Sequence, residues 1–176
     1  MAAEFPFRTN RLVIRRVTVD DRPSLLAILA DADVMKLALY ERPLSDEEAL
    51  QFISEDFAKD DRDIRHLGVL HRAADDAVIG FAGLLPCKYY PDDLEIGFVL
   101  DRRSQGQGYA TEIGRALVDV ALRTLHRPRV LALCDPRNLA SLHVLEKLGM
   151  RRIDEILTED RGPRAVFEAR VGSPDL

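Results

Sequence analysis

Leu94-Glu95-Ile96-Gly97-Phe98-Val99-Leu100-Asp101-Arg102-Arg103-Ser104-Gln105-Gly106-Gln107-Gly108-Tyr109-Ala110-Thr111 is the stretch that decides the fold. Its first seven residues form an apolar run of β-formers with one embedded acid, Glu95. Further on, Ala110, Ile113, Leu117, Val120 and Ala121 recur at three- and four-residue spacing, the pattern of an amphipathic helix. Gly106 and Gly108 therefore stand where a strand hands over to a helix. A helix N-terminus carries free N–H donors and the positive end of the macrodipole. Glycine there lets the backbone approach an anion and take φ > 0 at little steric cost. The stretch is a candidate pyrophosphate cradle. On Gly-x-Gly alone, a plain turn that opens a helix explains it equally well.

Two familiar phosphate loops do not fit. A Walker loop needs Lys and Ser/Thr directly after its last glycine, and Tyr109 and Ala110 follow Gly108. The dinucleotide fingerprint needs a third glycine where Thr111 stands, and an early βαβ unit. The flanks point elsewhere. LEIGFVL followed by Arg103-x-x-Gly106-x-Gly108-Tyr109-Ala110-Thr111-Glu112 resembles the acetyl-CoA-binding motif of the GNAT acetyltransferase superfamily, Arg/Gln-x-x-Gly-x-Gly/Ala. Asn138-Leu139-Ala140-Ser141, then Glu146-Lys147-Leu148-Gly149-Met150, is similar to the family's second signature, an Asn-x-x-Ser helix ending in Glu-Lys-x-Gly-Phe. Thr9-Asn10-Arg11-Leu12-Val13-Ile14-Arg15 resembles the opening of the branch that acetylates the N-termini of ribosomal proteins. The resemblance runs from about Thr9 to about Ile156, with the three motifs in the family's order.

Composition agrees with one soluble globular domain. The 176 residues are 47% hydrophobic and 31% charged, enough chain for a real core. We expect the domain to span 9–171, with an arm at 1–8 and a tail at 172–176. The net charge of −5, without a basic run, argues against nucleic acid or an anionic membrane and suits a cationic amine weakly. Cys87 and Cys134 have no metal-ligand spacing and read as buried free thiols of a cytoplasmic protein. His66, His71, His126 and His143 show no metal spacing either, so no metal is expected. Met1 to Phe7 lacks the apolar segment of a signal peptide, and no stretch reaches the ~20 apolar residues of a membrane helix. A homodimer stays open.

In order, the pattern predicts an irregular arm to Arg8, a strand over Arg11 to Val17, and a helix over Ser24 to Leu29. Asp31 to Arg42 reads as a loop with a short helix. Ser45-Asp46-Glu47-Glu48 is a capping box that opens a second helix through Phe57. Asp60 to Asp63 is a solvated turn. Arg65 to His71 and Val78 to Leu85 form a hairpin, and Leu94 to Leu100 is the strand before the cradle. A helix runs from about Gly108 to Leu125, then a buried strand over Arg129 to Leu133. A helix from Asn138 closes on Gly149 as its C-terminal cap. Arg151 to Leu157 and Ala165 to Val171 are the last strands, joined by a turn at Arg161-Gly162-Pro163. The sum, β-α-α-β-β-β-α-β-α-β-β, is α+β with a mixed, mostly antiparallel sheet. By resemblance it is the GNAT fold. In it the strand before the phosphate loop and the strand after the next helix splay apart, and the pantetheine arm enters the gap.

Acetyl transfer from a thioester to an amine needs a deprotonated amine, a stabilised oxyanion and a leaving thiolate. The expected pyrophosphate set is Ser104, Gln105, Gly106, Gln107, Gly108 and Tyr109, through main-chain N–H groups. Arg103 adds charge at the rim or is a surface arginine. The resemblance adds Phe98, Val99 and Leu100 as backbone partners of the pantetheine and the thioester carbonyl, and Asn138 as a pantetheine ligand. Asn138 also reads as a helix cap. Glu95 is the candidate general base. Its apolar neighbours should raise its pKa, and its place is similar to that of the base in the histone-acetylating branch. A strand-edge acid paired with a base is the plain alternative. Ser141 is the candidate donor to the thiolate. Many family members carry a tyrosine seven residues after the Asn, where Leu145 stands. Members of the N-terminal-acetylating branch often carry a glutamate five residues before it, where Leu133 stands. Tyr109, Ser141 or solvent must then supply the proton. Tyr89 and Tyr90 line the acceptor pocket or pack over the sheet.

The resemblance implies an acetyl-CoA-dependent N-acetyltransferase acting on a primary amine, a protein N-terminus or a small molecule. A non-catalytic acyl-CoA-binding regulatory module would keep the cradle without the base. A nucleotide-binding protein is disfavoured by the absent lysine.

Overall fold

The computed structural model describes residues 6–57 and 66–172. Eight strands form one sheet: β1 (Phe7–Arg8), β2 (Leu12–Arg15), β3 (His66–Arg72), β4 (Val78–Pro86), β5 (Leu94–Leu100), β6 (Arg129–Cys134), β7 (Arg151–Thr158) and β8 (Gly162–Arg170). The helices are α1 (Arg22–Ala30), α2 (Ala32–Met35), α3 (Asp46–Asp56), α4 (Tyr109–Asp119) and α5 (Leu139–Lys147). The sheet order is β1-β2-β3-β4-β5-β6-β8-β7. Every neighbouring pair is antiparallel except β5 and β6, which run parallel and share one paired position, Glu95 with Leu131. The α4 crossover makes that pair parallel, because a parallel partner cannot be reached by a tight turn. Beyond Glu95 the two strands separate, as the family resemblance implies.

Local signals explain most helix ends. The predicted capping box at α3 is present. Ser45 Oγ accepts from Glu48 N at 3.3 Å, and Glu48 Oε2 accepts from Ser45 N at 2.9 Å. Asp31 caps α2 by accepting from the amides of Asp33 and Val34. α5 ends on Gly149 at φ 68°, with Gly149 N donating to Glu146 O and Met150 N to Leu145 O, a Schellman stop.

The sheet carries a core on each face. α4 and α5 pack Ile113, Leu117, Leu145 and Leu148 against Leu70, Ala82, Ile96, Ala132 and Phe167. α1 to α3 pack Leu25, Leu29, Met35 and Ile53 against Val69, Phe81 and Val99. Strand alternation therefore turns Leu94, Ile96 and Leu100 to the α4–α5 face, and Glu95, Gly97 and Val99 to the other.

Several expectations need correction. Phe7 and Arg8 are not irregular; they pair with Ile14 and Val13. The final hairpin turns at 159–161, and Gly162 and Pro163 already lie in β8, opposite Thr158 and Leu157. Pro163 is tolerated because it lies beyond the β6–β8 ladder, whose last pair is Cys134 with Ala165, so β8 is an edge there. The predicted helix over 108–125 is α-helical only to Asp119 and continues as a π-turn over Val120–Thr124, where Leu125 N donates to Val120 O. The wider turn lets the adjacent Ala121 and Leu122 both bury. The turn expected at Asp60 to Asp63 lies outside the described residues. Among the described residues, no helix is long and apolar enough to cross a membrane.

The β3–β4 register shifts at Leu70/His71, which leaves Ile79 as an extra residue and swings Gly80 against β5. A Cβ on Gly80 would lie 2.0 Å from the carbonyl oxygen of Val99. Backbone cannot yield as a side-chain tip does. Gly80→Ala should therefore destabilise the fold by about 3 kcal/mol, the upper range for overpacking. A shift of the urea midpoint measures this, and an unchanged midpoint would contradict the close approach.

Candidate active site

The cradle is built by side chains that hold its backbone. Asp101 accepts from Ser104 N at 2.7 Å and fixes a 3-10 turn over Arg102–Ser104. Gln105 Nε2 donates to Leu100 O at 3.1 Å, and Gln107 Nε2 to Arg103 O at 2.6 Å. Gly106 and Gly108 take φ 74° and 81°, and Gly108 is the residue from which α4 starts. A Cβ at Gly106 would meet nothing within 4 Å, so its left-handed φ, and not crowding within the protein, is what calls for glycine. A segment from the far end of the sheet locks the loop. Arg11 N and Nε both donate to Glu112, at 2.7 Å each, and Arg11 Nη1 donates to Gln107 O at 3.0 Å. The Arg11 guanidinium also lies 4.6 Å from the centre of the Tyr109 ring. Thr9 Oγ1 donates to Glu112 at 2.5 Å. Burial works against the Glu112 charge, but these hydrogen bonds hold its carboxyl below the usual range.

From the cradle, a cavity of about 360 Å³ lined by Ser104, Gln105, Gly106, Gly108, Tyr109 and Leu100 runs along α5. It meets a second cavity of about 190 Å³ that holds Glu95. Phe98, Val99, Asn138 and Ser141 line both. The two cavities are one groove, and they join where β5 and β6 part. The Val99 carbonyl faces β4, as its closeness to Gly80 requires. By alternation, the main-chain groups of Phe98 and Leu100 face the gap. Asn138 caps α5, its Oδ1 accepting from Ser141 N at 3.1 Å.

Glu95 lines the smaller cavity. Burial pushes its carboxyl pKa up, and the Arg161 charge and the Cys87 thiol only partly oppose that. Cys87 is itself pushed up to about 11, by burial and by the Glu95 charge.

An ion-pair network frames this cavity. Arg164, 3% exposed, donates to Glu41 Oε1 at 2.6 Å and to Asp135 Oδ2 at 3.4 Å. Arg137 grips Asp135 through Nε and Nη2, holding its pKa near about 2, and reaches Glu41 at 3.3 Å. Asp135 Oδ1 also accepts from Arg137 N, and Asp135 O from Asn138 N, which shapes the turn presenting Asn138. Glu41 lies in the loop after α2, whose residues Leu37 and Ala38 line both cavities. Leu39 and Glu41 have φ 38° and 57°, strained for side-chain-bearing residues by ~1–2 kcal/mol each. The network offsets that strain. Removing one partner of such a buried pair costs ~3–5 kcal/mol.

The sequence-predicted residues divide. The groove collects Glu95, Phe98, Val99, Leu100, Ser104, Gln105, Gly106, Gly108, Tyr109, Asn138 and Ser141. Arg103 and Gln107 are exposed and lie off its lining. The Tyr109 ring is buried and its hydroxyl lies beside Arg72. Leu145 and Leu133 line the smaller cavity. His143 is exposed at the rim of the larger cavity, 3.9 Å from Glu146. Tyr89 and Tyr90 line neither cavity; their hydroxyls donate to Asp160 and Asp154. Sequence reasoning missed Arg161, the Glu41–Arg164–Asp135 network and the Arg11–Glu112 clasp. Only the Thr9-Asn10-Arg11 motif signalled any of these. Among the described residues, no group of three or more His, Cys, Asp or Glu side chains is arranged for a metal.

Comparison with known proteins agrees with this geometry. Residues 11–151 match the family described as the Acetyltransferase (GNAT) domain. YkkB, an uncharacterized protein of Bacillus subtilis (strain 168), is 31% identical over 176 residues, 97% of this chain and 98% of that protein. YnaD, an uncharacterized N-acetyltransferase of the same strain, is 30% identical over 145 residues, 82% of this chain and 81% of that protein. The solved GNAT-family acetyltransferase from Bacillus anthracis superposes with a TM-score of 0.80 at 23% identity, over 94% of this chain and 98% of that one. Since the match covers the Gly106–Gly108 and Asn138 motifs and the strands β2 to β6, this chain belongs to the GNAT acetyltransferase family and is an N-acetyltransferase with acetyl-CoA as donor.

Proposed function

We propose that the chain moves the acetyl group directly from acetyl-CoA to a primary amine while both are bound, with Glu95 as general base and Ser141 as proton donor. The observation that carries this is the single groove, with Phe98, Val99, Asn138 and Ser141 lining both its halves. The amides at the start of α4 and around Gly106 and Gly108 take the pyrophosphate, helped by the helix dipole. Phe98, Leu100 and Asn138 hold the pantetheine arm, so that the thioester lies where β5 and β6 part. Glu95 removes a proton from the amine, directly or through water. The amine nitrogen bonds to the thioester carbon, an N–H of the β5 edge takes the oxyanion, and the C–S bond breaks. Ser141 Oγ gives the thiolate its proton and regains one from solvent. No covalent enzyme intermediate is needed, because positioning the two reactants together supplies much of the rate. Two unpaired buried thiols, Cys87 and Cys134, favour a reducing compartment, the cytoplasm.

Gly108→Asp places a side chain and a negative charge at the cradle, at a φ of 81° that glycine takes most easily. Calorimetry on the folded variant should show acetyl-CoA affinity reduced by on the order of 10-fold or more, since it sets repulsion against the ~1–2 kcal/mol of a helix-terminus interaction. Full affinity would remove this loop from the donor site.

Glu95→Gln keeps the shape and removes the base. Turnover should fall about 10²–10⁴-fold with acetyl-CoA affinity unchanged. The base form exists only above the raised Glu95 pKa, so the wild-type rate should climb with pH through that ionisation, and the variant should lose the limb. Stability should move the other way. A carboxyl with a raised pKa binds its proton more tightly when folded, so folding stability falls as pH rises from the unfolded to the folded pKa. Above that window the ionised Glu95 is a burden, and the variant should melt at an equal or higher temperature. A variant with wild-type turnover would leave Glu95 a structural acid.

A further inference from the structure

The smaller cavity is lined by the ionisable groups Asp56, Glu95, Asp135, Arg161 and Arg164. Asp135 and Arg164 neutralise each other within the network of Glu41 and Arg137. Asp56 also has a partner. Glu95 and Arg161 remain. Among the described residues, no carboxylate lies within 4.0 Å of the Arg161 guanidinium, although its charge is felt at Glu95. The backbone beneath Arg161 is fixed. Its N–H donates to Thr158 Oγ1 at 3.1 Å, and Thr158 Oγ1 donates to Gly162 O at 2.8 Å. The preceding Asp160 is pinned by Lys88 Nζ at 2.8 Å and by the Tyr89 hydroxyl. The β7–β8 hairpin thus carries, on an anchored tip, a guanidinium with no carboxylate partner among the described residues into the cavity that holds Glu95.

We infer that the acceptor is a small amine that also bears a carboxylate, an amino-acid-like molecule, with its amine toward Glu95 and its carboxylate on Arg161. This rests on Glu95 marking the amine end of the proposed site. A guanidinium matches a carboxylate with paired, charge-assisted hydrogen bonds. A polyamine would bring further cations against Arg161, and a bare amine would leave it unmatched. The volume of about 190 Å³ suits a molecule of amino-acid size. It lies below the ~300–1,000 Å³ of sites for larger ligands.

The test uses α-amino acids, each set beside its α-amide and its decarboxylated amine. Thiol release gives kcat and KM, and calorimetry of each compound into the coenzyme A-loaded protein gives affinity without turnover. Wild type should prefer the carboxylate-bearing member by on the order of 10- to 100-fold in kcat/KM, as for a charged hydrogen bond. Arg161→Ala should erase the preference for the carboxylate-bearing member, whatever common change in rate the loss of its charge at Glu95 brings to all three, and Arg161→Lys should restore part of it. Equal use of acids, amides and amines by the wild type would overturn this inference and leave acetyl transfer standing. So would an Arg161→Ala variant that slows all three alike, since Arg161 would then only tune Glu95. Acetylation of no amine at all, with acetyl-CoA bound, would overturn the acetyl-transfer mechanism and this inference with it.

Discussion

β5 and β6 run side by side in the same direction but pair at one position only, Glu95 with Leu131. The rest of the site depends on that brief contact. At Glu95, β6 covers the edge of β5; beyond it, β5 keeps its ladder with β4 on one side, while on the other β6 pairs with none of it and the Leu100 carbonyl is taken by Gln105. A buried strand edge is costly unless something pairs with it. Here the edge opens into a groove, so a ligand arm can supply the missing partner. The crossover through α4 produces the same geometry twice over. It makes the strands parallel, and it aims a helix N-terminus at the mouth of the gap.

The gap stays open because both of its walls are held from outside. On the cradle side, Arg11 and Thr9 reach Glu112 from β2 and the residues before it, so the loop is tied to a strand about a hundred residues earlier. On the acceptor side, Glu41 and Arg164 join the loop after α2 to β8, and Asp135 carries the same network to the turn that presents Asn138. Both ties are ion pairs with hydrogen bonds, partly or fully withdrawn from water. There they are directional enough to fix a backbone, which apolar packing alone does less well. Gly80 adds a third constraint, since only a residue without Cβ allows β4 to press this closely on Val99.

What was legible in the sequence was local. The apolar run of β5, the two glycines, the period of α4, the Ser45 capping box and the Gly149 stop each write their structure within a few residues, and each is found where its chemistry put it. The family motifs added the separation of β5 and β6. What was not legible was carried by charged side chains. Arg164, Glu41 and Glu112 look like ordinary surface charges in the chain, because their partners lie up to 123 residues away and only folding brings them together, and Arg161 looks like one because only the hairpin carries it to the cavity. The turn before β8 was misplaced because Gly-Pro is a strong turn signal, while the pairing of Leu157 with Pro163 carries no local mark. Tyr89 and Tyr90 read as pocket or sheet residues, and they serve instead to brace the hairpin that carries Arg161.

The central claim is that the uncovered edge of β5 and the start of α4 together receive the donor. Amide hydrogen exchange, read residue by residue with and without coenzyme A, tests it most directly. Coenzyme A should slow exchange at Phe98, Leu100 and the amides from Gln105 to Tyr109, while β2, β3 and the outer β7 stay as they were. Protection confined to other elements, or spread evenly over the whole sheet, would contradict it.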